Sequence, residues 1–232
     1  TDNKRKYTEI VRHSGNVARV DETSEIIWGV KNDASYHFCD YSKVDIGYDY
    51  SVDDYNSERI YNNKYTRMQH GMFLHSETQL LNKRLTLIAG GRYDDISGVG
   101  THVGPRVSAM LAPTTKLKFR GSWGSGFRAP SFTDMYIDYN NVFIGYRVEG
   151  NADLMPEKSV GTSFGIEYFW NYLILTNVTV YQNRFQDLIL DYVKGPGVLS
   201  YKNVDSATFS NIEFQSKLYL LNNLSSTISY NY

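Results

Sequence analysis

Histidines and clustered acidic residues are the side chains of this sequence that would point to metal binding. His70 and His75 are five positions apart, so on a β-strand they face opposite sides and do not hold one metal ion together. Asp53, Asp54 and Glu58 form an acidic stretch that lacks the glycine and the ligand rhythm of a calcium-binding loop. We interpret the two histidines as independent and the acidic stretch as a solvated loop, and we predict no protein-bound metal and no cofactor.

The signatures of enzymatic catalysis are missing as well. The sequence has no GxSxG motif and no other local pattern of an activated nucleophile. Residues 121–126 resemble a phosphate loop only in their glycines, because no lysine and serine pair follows them and Pro130 comes soon after. Cys39 is the single cysteine, which excludes an internal disulfide. We therefore expect a protein that is not an enzyme.

One stretch, residues 128–156, is rich in the side chains that proteins use to bind small ligands. Aromatic rings that can stack on a ligand alternate there with fixed charges of both signs. The predicted ligand-binding residues are Arg128, Tyr136, Tyr139, Tyr146 and Arg147, and Phe143 lies among them. An ordinary exposed loop has a similar composition, so the sequence by itself leaves both interpretations open.

The segments on either side of this stretch have the two-residue periodicity of β-strands. In residues 159–170, a row of large side chains alternates with a row of small or charged ones. The large row is Val160, Phe164, Ile166, Tyr168 and Trp170, and the other row is Ser159, Gly161, Ser163, Gly165 and Glu167. A soluble core would not accept glycine, serine and glutamate opposite a solid apolar row, whereas the lumen of a membrane barrel would.

Further strands follow the same rule along the chain. In residues 44–53, apolar and aromatic side chains alternate with a row of aspartates that must face water. Turn-forming residues occur at 31–35, 82–83, 112–115, 171–172 and 222–223, and longer loops are predicted near residues 18, 58, 100, 140 and 198. We predict an all-β fold, an antiparallel transmembrane β-barrel fragment of about eleven strands, because alternating short turns and longer loops are typical of outer-membrane barrels.

The composition agrees with this fold class and excludes others. Mean hydropathy is −0.43 and no apolar run is long enough for a transmembrane helix. Aromatic residues make up 15% of the sequence, which suits the aromatic girdles of a membrane barrel. A formal net charge of −1 without a basic block argues against nucleic acid as a partner. The alternative is a soluble β-sandwich or propeller that binds carbohydrate or protein.

Several short boxes resemble a known family. Residues 126–130 (GFRAP), 150–154 (GNADL) and 156–159 (PEKS) are similar to the FRAP and NPDL boxes of TonB-dependent outer-membrane receptors. Further matches lie upstream in residues 85–94 and downstream in residues 201–204 and 212–213. The boxes occur in the order of the family, and Ala152 departs from the residue that the family usually has there.

The resemblance implies a bacterial outer-membrane receptor whose whole barrel has about twenty-two strands around an N-terminal plug domain. On that basis we expect residues 1–232 to be a partial barrel domain, about half of the barrel, with the plug domain absent. The implied partners are a metal-chelate ligand, outer-membrane lipid, and TonB acting through the plug domain. The family does no chemistry on its cargo, which it binds outside and releases when TonB pulls on the plug.

The cargo expected from this resemblance depends on a missing histidine. Haem receptors of the family carry a histidine between the FRAP and NPDL boxes, where imidazole can ligate haem iron. Residues 131–148 contain no histidine and offer only tyrosine oxygens. A ferric siderophore or a cobalamin already has its metal coordinated and needs only aromatic walls and charge, which the three tyrosines, Arg128 and Arg147 supply. We expect a ferric siderophore ahead of cobalamin, with haem third.

Overall fold

A computed structural model describes residues 2–10, 17–142, 144–221 and 224–232, without the side chains of residues 2–10, 17–20 and 221. The strands in these ranges are β1 (Asp2–Ile10), β2 (Val17–Cys39), β3 (Ser42–Ser57), β4 (Lys64–Leu80), β5 (Leu85–Ile96), β6 (Gly100–Leu111), β7 (Leu117–Arg128), β8 (Asp138–Asn141), β9 (Tyr146–Glu149), β10 (Glu157–Phe169), β11 (Ile174–Gly195), β12 (Val198–Leu221) and β13 (Leu224–Asn231). A single helix, α1 (Phe132–Tyr136), accompanies them in the described ranges. No helix in this part of the chain is long and apolar enough to cross a membrane.

The strands form one continuous sheet. β1 to β7 lie side by side in chain order, β10 joins β7, and β11, β12 and β13 continue the antiparallel ladder. β8 and β9 belong to the long connection between β7 and β10, so eleven of the thirteen described strands build the main ladder. The predicted all-β antiparallel fold and its strand number are confirmed. A single sheet is not the two-layer sandwich or bladed propeller that was the alternative.

One face of the sheet is concave and polar. Ser122 and Ser163 are opposite each other in β7 and β10, and their hydroxyls share a hydrogen bond of 2.7 Å. On the same face, Glu167 accepts from Lys118 Nζ at 2.8 Å and from Arg120 Nη1 at 2.7 Å. Side chains from β2 through β11 line a common space of about 830 Å³ on this side. The predicted polar row of β10 therefore faces the interior of a curled sheet.

The aspartate row of β3 faces the same interior. Asp49 accepts from Arg92 Nη1 at 2.7 Å and from Nη2 at 2.9 Å, and Arg92 Nε donates to Asp94 at 2.8 Å. Gly71 leaves room for this guanidinium, because a Cβ at that position would overlap it. Asp49 is thus neutralised by an arginine of β5 and is not simply solvated.

The opposite face carries the large apolar side chains. Phe119 and Phe164, on β7 and β10, stack with their ring centroids 6.4 Å apart. Ile166 is opposite Phe119 in the ladder, and directly opposed residues point to the same side of a sheet. This is the outward face when the polar face is enclosed, and we expect it to be the face that meets lipid.

The turn predicted at residues 31–35 is wrong. β2 runs on to Cys39, with Lys31 opposite Asp49 and Ser35 opposite Asp45, and the chain reverses at residues 40–41. Asn and Asp favour turns when their side chains bond the local backbone, but here the ladder with β3 already pairs that backbone. The predicted reversals at 82–83, 112–115 and 171–172 are confirmed, and the one at 222–223 lies outside the described residues.

The predicted loops at the other end of the strands are shorter than expected, with one exception. β3 extends to Ser57, β6 begins at Gly100 and β12 begins at Val198, so the connections near 58, 100 and 198 are short. Near residue 18 the described chain, from Val17, is already strand, and residues 11–16 lie outside the description. Cross-strand pairing thus continues into polar segments that the sequence pattern marks as loops. The connection 129–156 remains long.

Ile166→Arg is expected to lower the free energy of unfolding by about 2–4 kcal/mol if this position lies near the bilayer midplane, because it places a charge on the outward apolar face of β10. Ser163→Arg is the matched control, since this position is on the same strand but faces the polar interior. The measurement is a denaturant titration of folding into lipid bilayers. Equal losses for the two variants would contradict the assignment of the faces.

Candidate ligand-binding site

The connection 129–156 begins with a tightly packed turn and a capped helix. Pro130 is fully buried where the chain leaves β7. Ser131 then caps α1: its hydroxyl accepts from the Asp134 amide at 3.0 Å, and the Asp134 carboxylate accepts from the Ser131 amide at 3.0 Å. This reciprocal capping box satisfies amides that a one-turn helix leaves unpaired. The sequence S-F-T-D thus fixes where the chain turns away from the strand.

From α1 the chain reaches the far wall of the curled sheet, at the connection between β3 and β4. Ile137 forms an isolated antiparallel bridge with Ile60. On either side of it, the Tyr61 amide donates to the Tyr136 carbonyl and the Asp138 amide donates to the Arg59 carbonyl, both at 2.8 Å. The connection therefore crosses the mouth of the concave face and is held by backbone hydrogen bonds at the far side.

Aromatic rings reinforce this far-side contact. Tyr136 stacks on Tyr65 with a centroid distance of 3.8 Å and an interplanar angle of 2°. Phe132 packs between Tyr55 and Tyr65 at 5.5 and 6.0 Å. Arg67 covers the other side of this group, with its guanidinium 4.5 Å from the Phe132 ring and its Nη2 donating to the Pro130 carbonyl at 2.8 Å. Stacked rings and a covering cation add stabilisation beyond the area they bury.

The second half of the connection docks on the opposite wall. β9 pairs in parallel with the start of β12, and the Arg147 amide donates to the Gly197 carbonyl at 2.7 Å. Lys194 Nζ donates to the Glu149 carboxylate at 2.7 Å. This hydrogen bond, assisted by the charge of Arg147, lowers the pKa of Glu149 below its ordinary value. The connection is therefore attached to β3 and β4 on one side and to β12 on the other.

A buried carboxylate holds the base of the connection. Glu157, the first residue of β10, accepts from Arg128 Nε and Nη2 at 2.6 Å each and from the Ile189 amide at 2.8 Å. Its side chain thereby links β7, β10 and β11 where the connection leaves and rejoins the sheet. Directly beside it, Met135, Leu154 and Ile189 form a small buried cluster.

The five predicted ligand-binding residues occupy three different places. Tyr139, Tyr146 and Arg147 share the β8–β9 hairpin, Tyr136 is on α1, and Arg128 is at the end of β7. Phe143 lies outside the described residues. The structure thus gathers three of the five on one hairpin.

The three residues on the hairpin, all predicted to face a ligand, differ in how far their side chains are exposed. Tyr139 is only 7% exposed, its hydroxyl accepts from Asn141 Nδ2 at 3.3 Å, and the Arg59 guanidinium lies 4.5 Å from its ring. Tyr146 is half-buried, at 6.0 Å from Tyr139 edge to face. Arg147 is exposed and donates to Asp138 at 2.9 and 3.1 Å. The hydrogen bond to Asp138 raises the pKa of Arg147 above its ordinary value.

Sequence reasoning missed the residues of the β3–β4 connection and of the first residues of β4, which follow it. Tyr61, Tyr65 and Arg67 meet the predicted stretch from the other side of the mouth, and Tyr61 is exposed there. The segment 55–67 has the same mixture of tyrosine and charge that marks residues 128–156. That local composition is the signal that would have found it.

No three His, Cys, Asp or Glu side chains converge as metal ligands within the described ranges. Aromatic faces, arginine and amide groups lie at the mouth of the concave space, and groups of these kinds are suited to binding a ligand.

A curled sheet of long antiparallel strands, polar inside and apolar outside, with a connection folded across one end, defines a receptor-type β-barrel of the bacterial outer membrane. A family model described as "TonB dependent receptor-like, beta-barrel" matches residues 2–232. The chain belongs to the TonB-dependent receptor β-barrel family. Because such barrels have short periplasmic turns and longer extracellular loops, the connection 129–156 is on the extracellular side.

Curated relatives are 26–30% identical to this chain over the segments that align. The vitamin B12 transporter BtuB of Vibrio vulnificus is 30% identical over 133 residues, 57% of this chain and 20% of the relative. The iron-regulated outer membrane virulence protein of Vibrio cholerae is 30% identical over 141 residues, 60% and 21% respectively. The hemin receptor of Yersinia enterocolitica is 26% identical over 158 residues, 56% and 23%. The chain spans about a fifth of the length of these relatives.

Solved structures share the fold at lower identity. The siderophore receptor PirA of Pseudomonas aeruginosa aligns with a TM-score of 0.77 and 17% identity, over 92% of this chain and 43% of that one. The hemophore receptor HasR of Serratia marcescens aligns with a TM-score of 0.78 and 14% identity, over 93% and 43%. At these identities the likeness concerns the fold alone.

Glu157→Gln is expected to lower the free energy of unfolding by about 2–3 kcal/mol, because the amide removes the charge that accepts from Arg128 and turns a donor toward it. Glu149→Gln is the matched control, since its carboxylate also accepts from a cation but is solvated, and its effect should be smaller. The measurement is a denaturant titration of each variant in lipid bilayers. A larger loss for Glu149→Gln would overturn the role given to Glu157.

Proposed function

We propose that residues 1–232 are a partial barrel domain of a TonB-dependent transporter that takes up a scarce metal chelate from outside the cell. A ferric siderophore is the favoured cargo, followed by cobalamin and then haem. Family membership supports the transporter class, and the chain's match to about two fifths of solved receptors supports the partial domain. The plug domain would lie in a part of the receptor beyond this domain.

The observation that carries this proposal is the connection fixed across the extracellular mouth. The β8–β9 hairpin of this connection, with Tyr146 and Arg147, lies above a polar interior, and the exposed ring of Tyr61 lies on the wall to which the connection is attached. A ligand arriving from outside meets these groups before it meets the concave face. Aromatic faces and a guanidinium are suited to the rings and the negative charge of a ferric chelate.

The burial of Tyr139 favours a cargo that brings its own metal ligands, because it removes one of the three tyrosine oxygens of residues 131–148. Tyr139 is buried with its hydroxyl already hydrogen bonded, and one face of Tyr136 is covered by Tyr65. Direct coordination of haem iron would need a free tyrosine oxygen in the absence of a histidine from residues 131–148. The names of curated relatives, which include vitamin B12, iron-regulated and hemin proteins, are compatible with all three cargoes.

The mechanism proposed for this domain is binding and release without bond chemistry. The extracellular residues bind the chelate selectively, and the energy for release comes from TonB acting on the plug domain. Differential affinity between the two states of the receptor is what moves the ligand inward. Outer-membrane lipid surrounds the apolar face throughout this cycle.

Arg147→Gln is expected to weaken ferric-siderophore uptake by about tenfold in apparent affinity, because a charge-assisted contact to an anionic chelate is lost. Uptake of iron-loaded siderophore, cobalamin and haem is measured in cells that express the whole receptor. Asp138→Asn is the matched variant: it breaks the ion pair of Arg147 with Asp138 but leaves the one with Glu149 and the cation at the mouth. Tyr172→Ala, in a periplasmic turn, controls for expression.

The outcomes of this assay separate the alternatives. Reduced uptake in Arg147→Gln with near-normal uptake in Asp138→Asn supports a ligand contact by Arg147. Equal reductions in both variants would mean that the Arg147–Asp138 ion pair stabilises the hairpin and that Arg147 does not contact the ligand. The cargo ranking would be overturned if the cells took up haem alone of the three cargoes and lost haem-dependent growth when Tyr136 and Tyr146 were changed to alanine.

A further inference from the structure

An inward aspartate of β3, Asp53, lies directly opposite an arginine and is not paired with it. In the ladder between β3 and β4, the residue across from Asp53 is Arg67. Directly opposed residues have their Cβ atoms about 4.5–5.5 Å apart, so an arginine there can reach an aspartate. One carboxylate oxygen of Asp53 is nevertheless buried without a hydrogen-bond partner in the described part of the chain.

The surroundings of this carboxylate make the missing ion pair costly. A buried acceptor without a donor keeps its full desolvation penalty. The carboxylates of Glu25 and Asp54 repel that of Asp53, and Arg67 is the cation that attracts it. The sheet thus places a cation where it would relieve both the desolvation and the repulsion.

The connection 129–156 draws Arg67 away from Asp53. Arg67 Nη2 donates to the Pro130 carbonyl at 2.8 Å, and the guanidinium lies 4.5 Å from the Phe132 ring. The carboxylate of Asp134 on α1 attracts the same guanidinium. These three residues all belong to the connection, so the wall and the connection compete for one cation.

We propose that Arg67 is a positioning residue with two alternative partners: the connection 129–156 while it is attached to the β3–β4 wall, and Asp53 once it has left. In the attached state Asp53 stays unpaired, which offsets part of the gain from the contacts of Arg67. In the released state an ion pair across the ladder replaces those contacts. The competition lowers the free-energy difference between the two states, so the connection can open. Its role in opening the mouth rests on the transport function proposed above.

This competition predicts effects of opposite sign for two substitutions. Arg67→Gln removes the contacts with the connection, so the attachment weakens. Asp53→Asn removes only the competing partner, so the attachment strengthens. A carboxylate that merely held Arg67 in place would have the contrary effect, because its loss would weaken the attachment.

The neighbouring aspartate provides a matched control. Asp54→Asn removes the same charge one residue further along β3, where the side chain points to the other face of the sheet. Asp54 already has a partner, since its carboxylate accepts from Thr66 Oγ1 at 2.6 Å. It does not compete for Arg67, so the attachment should not change in this variant.

Hydrogen exchange measures the attachment directly. The Tyr61 and Asp138 amides donate to the Tyr136 and Arg59 carbonyls, and they can exchange when the connection leaves the wall. Peptides that contain these amides are followed by mass spectrometry in the whole receptor in lipid bilayers, with no ligand added. The variants are Asp53→Asn, Asp54→Asn, Arg67→Gln and the double variant of Asp53 and Arg67. Heat-modifiable migration on gels confirms that each is folded.

We expect Asp53→Asn to slow exchange of these amides about threefold, Arg67→Gln to speed it about tenfold, and Asp54→Asn to leave it unchanged. With Arg67 already replaced, Asp53→Asn should have no further effect, because the two residues are coupled. Faster or unchanged exchange in Asp53→Asn, equal slowing in Asp54→Asn, or the same slowing without Arg67 would each overturn the proposal.

The comparison of Asp53→Asn with Asp54→Asn is decisive by itself if Arg67→Gln does not fold. Since no cargo is present in this experiment, its failure leaves the proposed transport function untouched. Failure of the uptake assays, in turn, does not alter the exchange result.

Discussion

A transmembrane sheet must pair its own backbone, because hydrocarbon offers no partner to an N–H or a C=O group. The antiparallel ladder meets this requirement for β2 to β7 and β10 to β12, which have a partner strand on each side, and the other features follow from it. Since alternate side chains point to opposite faces, the same ladder places Ser122 and Ser163 inside and Phe119 and Ile166 outside. Because the sheet curls, its concave face is open at one end, and the connection 129–156 crosses this opening.

Much of this architecture could be predicted from the sequence, because strand faces are a local property. A period of two in residues 159–170 is sufficient to assign Glu167 to the polar side, where Lys118 and Arg120 neutralise it. The turn at residues 31–35 was misplaced for a physical reason. Asparagine and aspartate occur both in turns and on the water-facing side of a strand, so the local sequence does not tell a turn from a strand at residues 31–35. The pairing of this segment with β3 does.

The candidate site was predictable only in part, because its contacts join distant segments. Residue types alone located the stretch that holds Arg128, Tyr139 and Arg147. They could not show that Tyr136 lies flat on Tyr65, or that Arg128 is paired with Glu157. Aromatic and charged side chains are suitable both for a ligand and for each other. Which of the two they contact depends on the path of the chain across the mouth.

The central claim is that this connection is attached to the β3–β4 wall at the Ile60–Ile137 bridge. Opposed residues of an antiparallel bridge have Cα atoms about 4.5–5.5 Å apart, within the range of a disulfide. With Cys39 replaced by serine, Ile60→Cys and Ile137→Cys are introduced together into the whole receptor, and cross-linking is measured in outer membranes of intact cells. The account predicts a disulfide in nearly all molecules without added ligand, and two free thiols under oxidising conditions would contradict it.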